Sequence, residues 1–169
     1  FDEVRKEIDD VHLVIGGGSP NPKPREKSVF NKMKEIIKER DMDRVHIIGY
    51  VPDEKLVQYY QQAELFVLPS LFEPFGMTSQ ESMACGTPVV ASKYGGIKHV
   101  ITHEKNGMLI NPEDPGEFAN GIIKLLKDDD YRAKLGREAN NLIVEKYSWE
   151  AMATNHINLY KKYSDNLNM

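Results

Sequence analysis

Short apolar runs alternate with amphipathic segments along most of the chain, and this alternation indicates the fold. Five apolar runs, most of them rich in β-branched residues, predict strands at Val11–Ile15, Arg44–Ile48, Leu65–Pro69, Pro88–Ser92 and Gly107–Ile110. Between these runs, apolar residues recur at helical spacing. Continuously apolar strands are typical of strands that helices cover on both faces. The pattern therefore predicts an α/β fold with a doubly wound, mostly parallel sheet.

Helix signals and the end of the chain refine this organisation. The run Asp114-Pro115-Gly116-Glu117 has the sequence of a helix start with an N-cap Asp, and Asp53 predicts a cap for the helix that follows it. The prolines of residues 19–27 predict a loop. From residue 128 onward only helical patterns occur. We therefore expect an α/β core of about residues 1–127 and a helical C-terminal extension of residues 128–169, together forming one domain.

Composition and charge exclude several kinds of partner. The 169 residues carry 22 Lys and Arg against 26 Asp and Glu, a formal net charge of −4, which argues against recruitment of nucleic acid by overall charge. No apolar run approaches the ~20 residues that span a membrane, and the charged start is unlike a signal peptide. The single cysteine, Cys85, excludes an internal disulfide and predicts a reducing, cytoplasmic location. Because the chain begins at Phe1 without an initiator Met, we expect it to be part of a longer protein.

Three successive glycines, Gly16, Gly17 and Gly18, follow the first predicted strand and are the first candidate for a binding site. A glycine-rich turn at this place can bring backbone N–H groups onto a pyrophosphate, at the strand ends where open α/β sheets bind ligands. The G-x-G-x-x-G spacing fails, because Asn21 stands where the third glycine is needed. A turn that simply needs positive φ explains the same residues, and the sequence leaves both interpretations open.

The second candidate is the segment Ser70–Glu81, between the third predicted strand and a helix. A strand end that leads into a helix presents free N–H groups and the positive end of the helix dipole. Glu73 and Glu81 flank this helix start. Such a pair suits a phosphorylated polyol, since N–H groups bind phosphate and carboxylates accept hydroxyl protons. Two simpler explanations stay open: Thr78-x-x-Glu81 fits a capping box, and Glu73 fits a solvated loop charge.

The two glutamates belong to a longer series of segments. The series comprises Glu73-Pro74-Phe75-Gly76 with Glu81, Ala84–Ala91, Gly95-Gly96, Val45–Val51, Asp53–Leu56, Asn106–Pro112 and Tyr147–Trp149. It resembles the signature of the retaining glycosyltransferases of family 4, which have the GT-B fold, and it matches the sucrose-phosphate synthase group about as well as starch and glycogen synthases. The resemblance covers about residues 12–149. It implies the Rossmann-like C-terminal half of a GT-B enzyme, which binds the nucleotide-sugar donor.

Carried over by matching position, the resemblance implies a role for each residue of the candidate segments. Glu81 would hold the ribose hydroxyls, and Glu73, the catalytic carboxylate, would contact hydroxyls of the donor sugar. A retaining outcome can come from a carboxylate nucleophile, for which Glu73 is the nearby candidate, or from same-face attack assisted by the leaving phosphate. Phe75, Gly76 and Met77 would also contact the sugar, and Thr78 would contact the diphosphate. Tyr50 and Val51 would contact the base. Gly17 and Gly18 would line the cleft that binds the donor.

The resemblance also implies the partners of the chain. We expect a UDP-, ADP- or GDP-linked sugar as substrate, no metal or other cofactor, and a parent hexosyltransferase with a separate N-terminal acceptor-binding domain. The Arg and Lys that clamp the diphosphate in the family should precede Phe1, because Arg5 and Lys6 fall in the following helix. We therefore expect the chain by itself to be inactive.

Three functions other than glycosyl transfer fit parts of the same sequence. A nucleotide-sugar epimerase of GT-B fold would hold the nucleotide in the same way, but it needs an acid/base pair facing the sugar, which this sequence does not show. A non-catalytic nucleotide-binding domain would not need both Glu73 and Glu81. An NAD-dependent dehydrogenase fits least, since the glycine spacing fails and no acidic residue ends the strand at Ile48-Gly49.

Overall fold

The computed structural model describes residues 1–167, which divide into two compact units. The first unit comprises residues 1–59 and the second begins at Tyr60. None of the helices in the described part of the chain is both long enough and apolar enough to span a membrane. The organisation of the chain as one domain stays a prediction, because the two units are each compact by themselves.

The first unit contains a two-stranded parallel sheet and its helices. Its elements are α1 (Asp2–Glu7), β1 (Leu13–Gly16), α2 (Pro24–Glu39), β2 (Val45–Gly49) and the beginning of α3 (Asp53–Gln62). Leu13 lies opposite Val45, and Ile15 lies opposite Ile47. Both predicted strands of this unit are therefore confirmed, and they pair in parallel.

Two helix starts in the first unit differ from the prediction. Helix α2 begins at Pro24, so the predicted loop of residues 19–27 ends at Lys23. Proline suits the first helical position, because its missing N–H would have no partner there. Helix α3 begins at Asp53 itself, and the carbonyl of Pro52 accepts the first hydrogen bonds of the turn, so Asp53 lies inside the helix that it was expected to cap.

The second unit contains a three-stranded parallel sheet and all the C-terminal helices. Its elements are β3 (Phe66–Leu68), α4 (Met77–Ala84), β4 (Val89–Ser92), a 3₁₀ turn (Gly96–His99), β5 (Met108–Ile110), α5 (Pro115–Lys127), α6 (Asp129–Leu142), a π-helical turn (Ile143–Tyr147) and α7 (Trp149–Leu167). The strand order is β3-β4-β5, with β4 in the centre. The Asp114 carboxylate accepts the N–H groups of Gly116 at 2.9 Å and Glu117 at 3.0 Å, which confirms the predicted cap of α5.

The central strand β4 is buried on both faces. Successive strand residues point to opposite faces. Val89 and Ala91 belong to one buried cluster, with Met83, Ile97 and Ile101, whereas Val90 belongs to a second cluster, with Leu125 and Leu135. Helices thus cover both faces of this sheet, as the continuously apolar sequence predicts.

The strands of the first unit contradict that part of the prediction. Half-buried and exposed residues alternate along β1 and β2, and the side chains of Val14 and Ile48 are 48% and 38% exposed. Apolar sequence alone is therefore a poor guide to burial here. The α/β class, the parallel pairing and the C-terminal helices are confirmed, with a two-stranded sheet in the first unit and a three-stranded sheet in the second.

Candidate functional site

The turn between β3 and α4 ends at a glycine that no other residue could replace without strain. Gly76 is the N-cap of α4 and has a φ of 75°, in the left-handed region that disfavours side chains. A Cβ atom at this position would lie 2.7 Å from Cδ1 of the buried Ile97. Because the cap has no side chain, the first-turn N–H groups of α4 receive no hydrogen bond from the cap residue itself.

The carboxylate of Glu73 lies at this helix start. Its Oε1 accepts a hydrogen bond from the N–H of Gly76 at 2.9 Å and a longer one from the N–H of Phe75 at 3.4 Å. A carboxylate at a helix N-terminus is stabilised by the helix dipole. The alternative interpretation of Glu73 as a solvated loop charge is therefore wrong: the half-buried side chain folds back onto the turn.

The backbone of the paired glycines Gly95 and Gly96 contacts the turn between β3 and α4. The N–H of Gly96 donates to the carbonyl of Glu73 at 2.8 Å, and Glu73 forms an isolated parallel bridge with Gly95. A Cβ at Gly95 would lie 2.0 Å from the carbonyl oxygen of Glu73, and one at Gly96 would lie 2.0 Å from that of Pro74. Only glycine permits this backbone contact. The sequence displayed the glycine pair, but nothing in its spacing indicated the contact.

The surface of this turn is open. Phe75 and Met77 are 56% and 65% exposed, and Thr78 is exposed as well. The first N–H groups of a helix have no intrahelical partners. The structure therefore brings Glu73, Phe75, Gly76, Met77 and Thr78 together at the start of α4, where the N–H groups of Phe75 and Gly76 already donate to Glu73.

Glu81, in the second turn of α4, does not form the capping box that its spacing allows. The helix N-cap is Gly76, so Thr78 is already a helical residue and cannot be the cap. Instead, Glu81 Oε2 accepts a hydrogen bond from the hydroxyl of Tyr60 at 3.0 Å. Tyr60 lies in one of the segments whose apolar residues recur at helical spacing, and that pattern did not indicate this contact. A tyrosine among apolar neighbours was the available signal, since a buried hydroxyl requires a partner.

Two titratable groups beside Glu81 are kept in their neutral forms. Burial, together with the hydrogen bond to Glu81, raises the pKa of Tyr60 well above its ordinary value. Burial and then the charge of Glu81 raise the pKa of the Cys85 thiol. Tyr60 is therefore a hydrogen-bond donor at neutral pH, and Cys85 is a thiol rather than a nucleophilic thiolate. Within the described residues, no cluster of three or more His, Cys, Asp or Glu could hold a metal ion.

The remaining predicted site residues belong to the first unit. The N–H of Gly17 donates to the carbonyl of Gly49 at 2.8 Å, which brings the glycine turn beside the segment that carries Tyr50 and Val51. Gly17 and Gly18 both have positive φ, as the turn interpretation requires. Gly17, Gly18 and Tyr50 are exposed and Val51 is half-buried. The structure thus groups these four residues at the ends of β1 and β2.

The sequence matches a family model and several curated proteins. The model described as "Glycosyl transferases group 1" matches residues 1–142. The chain is 39% identical over 118 residues to the glycosyltransferase MJ1607 of Methanocaldococcus jannaschii, covering 70% of this chain and 30% of that protein. It is 34% identical over 144 residues to the mannosylfructose-phosphate synthase of Agrobacterium fabrum, covering 85% and 31%. The chain thus spans about a third of the length of these relatives.

Solved structures resemble the fold over nearly the whole chain. The sucrose-phosphate synthase of Thermosynechococcus elongatus matches with a TM-score of 0.83 and 32% identity, over 96% of this chain and 41% of that one. Anabaena Alr3699/HepE, solved in complex with UDP-glucose, matches with a TM-score of 0.79 and 25% identity, over 96% and 43%.

Proposed function

The chain belongs to the glycosyl transferases of group 1, and on that premise we propose that it is the donor-binding half of a retaining enzyme that transfers a sugar from a nucleotide-diphosphate sugar to an acceptor. The parent enzyme is a hexosyltransferase in this proposal. The matched relatives are about three times as long as the matched segment, which supports an acceptor-binding half elsewhere in the parent protein. The chain by itself then binds donor without transferring sugar.

One observation carries the proposal: a carboxylate and a cluster of backbone N–H groups converge at the start of α4. Glu73 Oε1 lies 2.9 Å from the N–H nitrogen of Gly76, and the exposed residues Met77 and Thr78 follow directly. Glycosyl transfer leaves negative charge on the departing β-phosphate. Fixed N–H donors and the positive end of a helix dipole stabilise such charge without a metal, and removing one such donor slows reactions by ~10²–10³.

In this proposal each residue near α4 binds one part of the donor. Thr78 and the first N–H groups of α4 bind the diphosphate. Glu73, with the backbone of Phe75, Gly76 and Met77, binds hydroxyls of the sugar and orients it for same-face attack assisted by the leaving phosphate. A carboxylate nucleophile is the alternative route to retention, and Glu73 is its candidate. Glu81 accepts hydrogen bonds from the ribose hydroxyls.

The predicted contacts of the first unit are kept in the proposal. Tyr50 and Val51 contact the base, partly through backbone atoms, and Gly17 and Gly18 contact the donor. UDP-glucose is the first donor to test, because Anabaena Alr3699/HepE was solved with that molecule. ADP- and GDP-linked sugars are the alternatives. A cytoplasmic location stays a prediction.

Titration calorimetry of the chain with UDP, ADP and GDP tests the binding. We expect at least one of them to bind with a Kd below about 1 mM, in the usual range of substrate affinities. Glu81→Ala should weaken that binding about 10- to 100-fold, the value of hydrogen bonds to a charged group. Glu64→Gln is the matched control, because it removes an exposed carboxylate just before β3.

The role of Glu73 is tested by the ratio of two affinities. Glu73→Gln should weaken binding of UDP-glucose more than binding of UDP, because only the first ligand carries the sugar hydroxyls that Glu73 binds. The absence of binding by UDP, ADP and GDP at millimolar concentration would overturn the proposed function of this chain. Equal losses for UDP-glucose and UDP would remove Glu73 from the sugar site and leave the nucleotide site standing.

A further inference from the structure

The hydroxyl of Tyr60 is the hydrogen-bond partner that the structure gives to the Glu81 carboxylate. Tyr60 is 5% exposed, and its hydroxyl donates to Glu81 Oε2 at 3.0 Å. In the described part of the chain, no other hydrogen bond reaches this carboxylate, so Oε1 is left without a protein donor. Glu81 is half-buried, and its Oε1 is not among the fully buried oxygens without a partner in the described residues, so a ligand can reach it.

Tyr60 is fixed at three points, so its hydroxyl has a defined position. Its ring packs edge-on against Phe66, with the ring centroids 5.5 Å apart and an interplanar angle of 79°. Its carbonyl accepts a hydrogen bond of 2.6 Å from the hydroxyl of the buried Thr87. The third point is the contact with Glu81. A tyrosine held by ring packing and by its main chain is a rigid support for a flexible glutamate, which otherwise loses side-chain entropy when a ligand orders it.

The protonation state of Tyr60 decides which group donates in the hydrogen bond between Tyr60 and Glu81. Burial raises the pKa of the Tyr60 hydroxyl, so this group donates throughout the neutral range and Glu81 accepts. A donor on Oε2 restricts rotation of the carboxylate and leaves Oε1 free to accept a hydrogen bond from a ligand. A carboxylate with one oxygen fixed and one free can accept hydrogen bonds from a vicinal diol, in which two hydroxyls stand on adjacent carbons.

We propose that Tyr60 is a positioning residue, which holds the Glu81 carboxylate in the orientation that binds the ribose diol of the nucleotide. The inference rests on the proposed function, since it needs a nucleotide at Glu81. Tyr60 does not touch the ligand. It acts through Glu81, and its contribution appears only with ligands that present hydroxyls to that carboxylate.

The test compares UDP with 2′-deoxy-UDP in calorimetric titrations of the chain and its variants. Tyr60→Phe keeps the ring and removes only the hydroxyl. It should weaken binding of UDP about 3- to 10-fold, the value of one hydrogen bond, and should change binding of 2′-deoxy-UDP much less. Tyr59→Phe is the matched control, because it removes the same group from an exposed neighbour on the same helix and should change neither affinity.

A double-mutant cycle with Glu81→Ala separates positioning from folding. If Tyr60 acts through Glu81, Tyr60→Phe should have no further effect on UDP binding once Glu81 is absent. Equal losses for UDP and 2′-deoxy-UDP, or an undiminished loss in the Glu81→Ala background, would overturn the positioning role while leaving the nucleotide site intact. Failure of the unmodified chain to bind any of UDP, ADP and GDP would overturn the proposed function, and this inference with it.

Discussion

The two units of the chain are built from similar strands but differ greatly in what those strands bury. In the first unit, all of which the structure describes, Val4 is the one buried residue. In the second unit, β4 is buried along its whole length, between two clusters of apolar side chains. Yet β1, with the sequence Leu-Val-Ile-Gly, has as many apolar residues as β4, with the sequence Val-Val-Ala-Ser.

This difference indicates that an apolar strand stabilises the fold only where other elements cover its faces, whatever its own sequence. Burying a large aliphatic side chain fully contributes about 1.5–3 kcal/mol relative to leaving it exposed. Half-exposed residues such as Val14 contribute only a part of that. We therefore expect the second unit to provide most of the free energy of unfolding and the first unit to open more readily. Three changes test this comparison.

The largest effect is expected from Leu135→Ala. Leu135 lies in α6, is fully buried, and packs in the cluster that contains Val90. Its truncation should lower the free energy of unfolding by about 2–5 kcal/mol, because it leaves a cavity in the core. Denaturant unfolding followed by circular dichroism measures the loss. Val14→Ala, in the first unit, should cost less than about 1 kcal/mol, and similar losses for the two variants would break the comparison.

A smaller loss of stability is expected from Gly136→Ala, at the contact between α6 and the turn after α4. A Cβ at Gly136 would lie 2.1 Å from the carbonyl oxygen of Gly86, so Gly136→Ala forces two backbone segments apart. We expect a loss of about 1–3 kcal/mol, as for other overpacked sites. The control is Gly116→Ala, near the start of α5, where a Cβ meets only a side-chain oxygen of Asp114. Thermal unfolding of both variants should show a lowered midpoint for Gly136→Ala alone.

The smallest effect concerns an ion pair of the first unit. The side chain of Arg40 hydrogen-bonds Asp2 at 2.6 Å and holds the pKa of the Asp2 carboxyl below its ordinary value of 3.8. A lowered pKa stabilises the fold above pH 3.8, and this stabilisation is lost as the pH falls through the folded-state pKa. Since the pair is partly exposed, Asp2→Asn should cost only about 0.2–1 kcal/mol at neutral pH.

The pH dependence gives that variant a clear signature. The difference in unfolding free energy between the unmodified chain and Asp2→Asn should shrink steadily below pH 4. Asp9→Asn, which alters an exposed carboxylate next to the same helix, should show no such trend. A constant difference for Asp2→Asn across this range would mean that the ion pair does not support the first unit.

The elements of the fold could be predicted because their signals are local. Apolar runs identified all five strands, and Asp114 identified the start of α5 within a few residues of sequence. The exposure of β1 and β2 could not be predicted, because burial depends on which elements cover a strand rather than on its own residues.

In the candidate site, too, local sequence predicts the elements but not the contacts between distant residues. Their position around a predicted helix start singled out Glu73 and Glu81, the resemblance to a family assigned them roles, and the structure brings Glu73 to the N–H groups of that helix start. The contact between Glu73 and Gly96, and the one between Tyr60 and Glu81, join residues 23 and 21 positions apart. No local pattern encodes such contacts. A helix face predicts that Tyr60 is buried, but only the tertiary fold decides which group its hydroxyl meets.

Because the Glu73 carboxylate accepts the N–H of Gly76, it competes with any other anion for that hydrogen-bond donor. A tethered anion is present at a high effective concentration, so a free anion that arrives at the start of α4 must displace it or share its donors. In the proposed donor site, a ligand that also offers Glu73 new hydrogen-bond donors gives the displaced carboxylate a partner, so we expect molecules that join a phosphate to a polyol to compete better than either part alone.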